Sequence, residues 1–261
     1  VSAGSLSALN RVNTPGHAWG HKDVAHPLQW GTKIAMTAPN SPAPGRSQLE
    51  PRHMTADEVE TLFTRADGSY AFARWGRPIA PIVFGVEAET LPVIKGAFEA
   101  VVALAGHHMA ETDPELGSNC MVFFFRDWAE LTEVPDLDRL VPDLTLLVAR
   151  LTRDAANQYR IFRFDDHGGI KAAFVFLRMD QHLGAVPAET LALSQVVQTV
   201  LLWSDTAFGE QSPLAVVPGG ATILRPDIAG VIRAAYDPRM PVVAYDPSHA
   251  LRLCARLEVP Q

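Results

Sequence analysis

The chain has 261 residues, a formal net charge of −7 and 48% hydrophobic residues. This hydrophobic content is ample for a packed core, while the negative charge gives no electrostatic support for binding a phosphate backbone, so no nucleic-acid partner is expected. No apolar run approaches the roughly 18 residues of a membrane helix, and residues 1–15 lack a charged start followed by an apolar stretch. We therefore expect neither a membrane span nor an uncleaved signal peptide.

Residues 1–52 are predicted to form an extended, irregular, proline-rich arm. They are rich in Pro, Gly and Ser and show little hydrophobic periodicity. His17, His21 and His26 are spaced loosely enough to wrap a transition metal, with Trp19 between them. Three histidines in an irregular stretch are more often incidental, and that interpretation is favoured here.

Residues 53–240 are predicted to form one α+β domain. Thr55 and Glu58 have the spacing of a capping box and begin a short helix. Residues 78–86 are β-branched and aromatic enough for a strand, and a helix that Thr90 can cap follows and ends at Gly106.

The second half of the domain continues the alternation of strands and helices. The continuous apolar run 120–125 predicts a central strand buried on both faces. A peripheral helix is predicted over 136–151. Residues 159–164 and 170–177 flank paired glycines and predict a β-hairpin. Two further helices are predicted over 189–203 and 226–236.

Residues 241–261 are predicted to pack onto the domain as an irregular C-terminal strap, because they combine three prolines with scattered apolar residues. The chain has two cysteines, Cys120 and Cys254. Two are too few for a disulfide scaffold, which leaves a single bridge or buried thiols as the alternatives.

Several short phrases occur in a suggestive order: Arg74-Trp75, Asn119 before the central strand, Gly169-Ile170, Leu224 to Ile228 and Ala235 to Arg239. Residues 74–239 thereby resemble the zincin metallopeptidases of the matrixin kind. They resemble still more an uncharacterised family of alphaproteobacterial exported proteins that are degenerate zincin relatives. This resemblance implies a zincin-like mixed sheet with packed helices, and a periplasmic or secreted location.

In a zincin, the long helix carries two histidines one turn apart and a glutamate that activates metal-bound water. The resemblance aligns Ser194 with the first histidine, Gln195 with the glutamate, Gln198 with the second histidine and Ser204 near the third ligand. Leu201 stands where a glycine would let the chain turn. The resemblance therefore implies no catalytic residue and no zinc or other cofactor.

The residue chemistry agrees with this interpretation. Ser194, Gln195 and Gln198 span about a third of the helix circumference and form one polar patch. A neutral amide can neither deprotonate water nor hold a divalent cation. A structural role is favoured for the patch, with a remnant of a ligand-binding site as the alternative. The resembling family often keeps acidic residues there, so the chain departs from it too.

His107 and Glu111 form a second candidate group, together with His108. They are one turn apart and could hold a metal if the segment were helical. Gly106 and Pro114 instead indicate a loop, so a solvated loop is the favoured interpretation.

We therefore expect a non-catalytic, zincin-like binding or structural module of the bacterial cell envelope with a protein or peptide partner. One alternative is a hydrolase with a non-standard site, metal-dependent through His107, His108 and Glu111. Another is an accessory subunit of a larger assembly, held by its arm and strap.

Overall fold

The computed structural model describes residues 54–257. The predicted arm, with His17, His21 and His26, lies outside these residues. The strands are β1 Phe72–Ala73, β2 Pro81–Phe84, β3 Cys120–Phe125, β4 Gln158–Phe164, β5 Ile170–Arg178, β6 Leu214–Val216, β7 Thr222–Leu224 and β8 Val243–Ala244. The α-helices are α1 Ala56–Thr61, α2 Leu91–Leu104, α3 Leu137–Leu140, α4 Leu144–Arg153, α5 Ala188–Val200, α6 Pro226–Ala235 and α7 Ser248–Leu257.

A four-stranded mixed sheet with the order β2-β3-β5-β4 divides the domain into layers. β2, β3 and β5 are parallel, and β4 pairs antiparallel with β5 at one edge. This architecture confirms the predicted α+β class. No helix within residues 54–257 has the length and apolar character needed to cross a membrane.

The central strand is buried on both faces, as its apolar run predicts. Val122 belongs to a core shared with α2, α5 and α6, while Phe123 belongs to a separate core under α4 and the 3₁₀ helix Trp128–Glu133. Successive side chains of a strand point to opposite faces, so each face of β3 needs apolar residues. The sheet is therefore sandwiched between two helical layers.

The hairpin between β4 and β5 turns as predicted, but its two glycines serve different purposes. Gly168 has a φ of +84°, the left-handed conformation that glycine tolerates best. Gly169 allows a close approach, because a Cβ there would lie 2.8 Å from Val242 Cγ1. Asp165 Oδ1 accepts from the backbone N–H groups of His167 and Gly169, which gives this aspartate a turn-forming role.

Element boundaries differ from several predictions. The helix predicted over 136–151 is two helices, because Pro142 lies between them and Asp143 takes a left-handed φ of 56°. Asp136, with a φ of 60°, is the N-cap of the first helix. The predicted strand 78–86 is limited to β2. The long helix ends at Val200 rather than residue 203, because Leu201 is extended and forms a bridge with Arg74.

Helix starts follow the predicted signals in one case and not in another. At α1, Thr55 and Glu58 form the predicted capping box. At α2, Thr90 occupies the N-cap position, but its side chain makes no capping hydrogen bond, and Pro92 lies in the first turn of the helix as predicted.

The prediction that the C-terminal strap is irregular is wrong over its described residues, because they contain β8 and α7. β8 pairs antiparallel with β1, and α7 packs against α1 and α6. The physical reason is helical spacing, because Ala250, Leu253 and Leu257 share one apolar face. Cys120 and Cys254 are both thiols rather than halves of a disulfide, and Cys254 Sγ donates to the Met54 carbonyl at 3.4 Å.

His249 anchors α7 in the core. It is only 3% exposed, its Nδ1 shares a 2.8 Å hydrogen bond with Tyr70 Oη, and its ring centroid lies 4.3 Å from that of Phe72. Its Nε2 is buried and has no hydrogen-bond partner within residues 54–257. Burial, followed by the charges of Arg252 and Arg256, lowers the pKa of His249 to about 4.

The lowered pKa of His249 predicts that the protein loses stability in mild acid. The unfolded chain takes up a proton near pH 6.5, whereas the folded chain resists protonation until about pH 4. Stability should therefore fall across this interval as pH falls, by up to roughly 1.4 kcal/mol per pH unit. The free energy of unfolding, measured with urea at several pH values, should depend less steeply on pH in His249→Gln than in the native chain. His182→Gln, which alters an exposed histidine, should keep the native dependence on pH. The same pH dependence in His249→Gln as in the native chain would contradict the role given to His249.

Candidate functional site

The candidate site is built on α5, the helix that carries the predicted polar patch. α5 follows β5 and packs against α2, and most of its residues from Leu191 to Val200 are buried. A helix leaves its last four carbonyls without intrahelical partners. Here Trp203 Nε1 donates to Val197 O at 2.8 Å, Trp75 Nε1 to Thr199 O at 3.0 Å, and Tyr236 Oη to Val200 O at 2.8 Å. These three bonds fix the end of α5.

Ser194 and Gln198, the positions aligned with the two zinc-binding histidines, are bonded to each other. Gln198 Nε2 donates to Ser194 Oγ at 2.9 Å and to Ser194 O at 3.2 Å. Both residues are buried, and their spacing places them one above the other on the helix. The side-chain amide nitrogen of Gln198 is therefore bonded within α5 itself.

Gln195 faces the edge strand β4 instead. Its Nε2 donates to Gln158 Oε1 at 3.3 Å, and its Oε1 accepts a hydrogen bond from Arg160 Nη2. The same Nη2 also donates to Gln158 Oε1 at 3.1 Å. Gln158 and Arg160 are two residues apart, so both point to the face of β4 that α5 covers. These three residues form a cluster that we term the arginine–amide cluster.

Ser204 lies outside this group. Its backbone N–H donates to Leu62 O at 2.8 Å, and its hydroxyl donates to Thr61 O at 3.3 Å. It thus satisfies carbonyls at the end of α1, and Thr206 Oγ1 lies 3.0 Å from its Oγ. The structure divides the four predicted residues among a Ser194–Gln198 pair, Gln195 with β4, and Ser204 with α1.

Sequence reasoning missed Arg160 and Gln158. The available signal was the two-residue alternation of Gln158, Arg160 and Phe162, whose strand partners on β5 all belong to the core shared with α5. Recognising it would have required knowing which face of β4 is covered by the helix. That information comes only from the assembled sheet.

Arg160 carries an unusual charge environment. Its Nε is buried without a hydrogen-bond partner among the described residues, and burial lowers the pKa of its guanidinium to about 10. The side chain therefore remains charged at neutral pH. Within residues 54–257, its hydrogen-bonding partners are neutral amides and no carboxylate forms an ion pair with it. Burying a charge without an opposite charge is costly.

His107, His108 and Glu111 follow the end of α2 in an extended segment, where Met109 bridges to Ile79. The one-turn spacing of His107 and Glu111 therefore does not arise from a helix, and His108 and Glu111 are exposed. His107 Nε2 donates to Arg77 O at 2.9 Å, and burial lowers the pKa of the imidazole. Across residues 54–257, no group of three or more His, Cys, Asp or Glu side chains is placed to hold a metal ion.

A separate polar network fastens the starts of the parallel strands. Asn119 accepts from Ala80 N at 2.8 Å and donates to Pro78 O and to the buried Asp113. Burial opposes ionisation of Asp113, but backbone N–H groups, Asn119 and Arg77 outweigh it and hold the pKa of this carboxyl below its usual value. This network is satisfied internally and has a structural role.

Comparison with known proteins adds no relative: no family model, no curated protein and no solved structure matches this chain.

Substituting Gln195 tests the charge environment of Arg160. Gln195→Glu would give the guanidinium an ionised acceptor of nearly the same shape, and charged hydrogen bonds contribute roughly 1.5–3 kcal/mol against roughly 0.5–1.5 kcal/mol for neutral ones. We expect the free energy of unfolding at pH 7 to rise by about 1 kcal/mol. Because Arg160 would lower the pKa of the new carboxyl, the gain should be present above about pH 4.3 and disappear as pH falls further.

Gln195→Leu serves as the matched opposite change. It removes an acceptor from Arg160 and should lower the free energy of unfolding by roughly 1–3 kcal/mol, measured by the same urea titrations. Equal stability of the native chain and Gln195→Glu would mean that the charge of Arg160 is already compensated.

Proposed function

We propose that this chain is a non-catalytic, zincin-like binding module that holds a peptide or protein partner beside α5 and the edge strand β4 without cutting it. The observation that carries the proposal is the chemistry of α5. Where a zincin helix presents imidazole and carboxylate, this helix presents a Ser194–Gln198 pair and Gln195, all hydrogen-bonded to protein groups. Such groups neither activate water nor hold a metal, but they can donate to and accept from peptide groups.

The position of β4 supports a peptide partner. β4 is an edge strand of the sheet formed by the described residues, so one row of its backbone groups faces away from β5. An extended peptide can add to such an edge through backbone hydrogen bonds, while side chains beside the edge supply specificity. Gln158 and Arg160 lie on this strand next to α5, in the position that such side chains require.

Export to the bacterial periplasm or cell surface is part of the same proposal and rests on the sequence resemblance alone. The hydrolase alternative through His107, His108 and Glu111 receives no support from the described geometry, because the segment is extended and His107 is bonded to Arg77. The accessory-subunit alternative depends on the arm, which lies outside residues 54–257.

Peptide binding should depend on Gln198, which keeps 9% exposure, the largest fraction among the three patch residues on α5. Short peptides selected from a random display library on the native chain would be titrated by calorimetry. Gln198→Leu removes one or two hydrogen bonds and should weaken binding roughly three- to tenfold. Glu189→Gln, an exposed change in the first turn of α5, should bind like the native chain. Unchanged affinity for Gln198→Leu, or failure to select any peptide, would refute the proposal.

Metal content separates this proposal from a hydrolase. Protein purified without chelators should contain far less than about one zinc per chain, the stoichiometry of a catalytic site. It should also leave a mixture of unstructured peptides intact, as followed by mass spectrometry. Tightly bound zinc that is lost in Gln198→Leu, or cleavage that is abolished in Gln195→Leu, would overturn the non-catalytic assignment.

A further inference from the structure

We propose that the arginine–amide cluster, formed by Arg160, Gln158 and Gln195, is a binding site for a carboxylate group of the ligand. The identification of that ligand as a peptide, through its C-terminal or an acidic side-chain carboxylate, rests on the proposed function. The carboxylate site itself rests on the contacts of Arg160.

The first argument is the missing opposite charge. Arg77, Arg178 and Arg225 are also partly buried, and each contacts a carboxylate: Asp113 and Glu115, Asp180, and Asp227, respectively. Arg74 lies over the ring of Tyr236, 5.3 Å from its centroid, which stabilises a cation. Arg160 has neither kind of partner in residues 54–257, although burial acts on its charge strongly enough to lower its pKa.

The second argument is the arrangement of the acceptors. The amide oxygens of Gln158 and Gln195 both accept from Arg160 Nη2, from two different elements of the fold. A guanidinium commonly binds the two oxygens of a carboxylate through two of its N–H groups, with stronger bonds than those to neutral oxygens. The two glutamines give Arg160 neutral, weaker acceptors, and an incoming carboxylate would give it an ionised one.

The third argument concerns access and charge balance. Arg160 is partly exposed and lies on the edge strand, whereas Gln158 and Gln195 are each 5% exposed, so a ligand approaching β4 would meet the arginine first. The cluster offers one positive charge and two neutral amides. This balance matches the single negative charge of a carboxylate better than the charge of about −2 on a phosphate monoester.

N-acetylglycine is a suitable probe, because it is small and reproduces the C-terminal carboxylate of a peptide. Its amide, N-acetylglycinamide, removes the charge and keeps the shape. Each compound would be titrated into the native chain while the side-chain Nε–H signal of Arg160 is followed by NMR. We expect saturable shifts with the carboxylate and none with the amide. Inorganic phosphate should bind more weakly than N-acetylglycine.

Three variants sharpen the test. Gln195→Glu places a carboxylate on Arg160 from within the fold and should abolish the response to N-acetylglycine in a chain that remains folded. Arg160→Met removes the charge, keeps most of the apolar stem and should abolish binding measured by calorimetry. Arg163→Met, on the same strand but paired with a residue of the opposite face, should bind like the native chain.

The outcomes separate this inference from the proposed function. Saturable binding of N-acetylglycine that is lost in Gln195→Glu supports the carboxylate site. Absence of binding, equal binding of the amide, tighter binding of phosphate, or full binding by Gln195→Glu overturns it. Peptides that bind the native chain and Arg160→Met equally, but bind Gln198→Leu poorly, would leave the proposed function standing and refute the carboxylate site. If Arg160→Met fails to fold, the comparison of acid and amide on the native chain decides the question.

Discussion

Polar groups in the helical layer beside the sheet must find partners inside the protein, because that layer holds little water-accessible surface. α5 lies in this layer with both its side chains and its last carbonyls enclosed. Three side chains donate to those carbonyls: the indoles of Trp75 and Trp203 and the hydroxyl of Tyr236. These donors come from three separate segments of the chain. The hydrogen bonds to the last carbonyls of α5 therefore hold three segments together: the residues after β1, the chain that leaves α5 and the end of α6.

The same requirement explains which side chains α5 can carry. A histidine at position 194 or 198 would need a metal or another partner for its ring nitrogen, whereas a serine and a glutamine one turn apart satisfy each other. Thr199 follows the same pattern and donates to Gln195 O at 2.7 Å. Bonding between neutral groups allows these side chains of α5 to stay buried.

Local sequence signals correctly predicted the elements whose structure depends on only a few neighbouring residues. The apolar run of β3, the turn at Gly168 and the capping box at Thr55 act over a few residues, and the structure confirms all three. Signals that depend on distant partners were misread. The predicted irregular strap contains α7, whose His249 contacts Tyr70 and Phe72 from a distant part of the chain. One local signal was also misread, because the helix predicted over 136–151 breaks at Pro142 and Asp143.

The candidate site shows the same division between local and distant information. The patch on α5 could be located from helical spacing, but Gln195 and Ser204 have partners on β4 and α1 that helical spacing does not reveal. Arg160 lies on an edge strand, and its charge becomes costly because α5 covers it. A solvent-exposed arginine at that position would need no partner. Because α5 covers Arg160 and supplies an amide rather than a carboxylate, its charge has no ionised partner among residues 54–257, which is costly for the folded state.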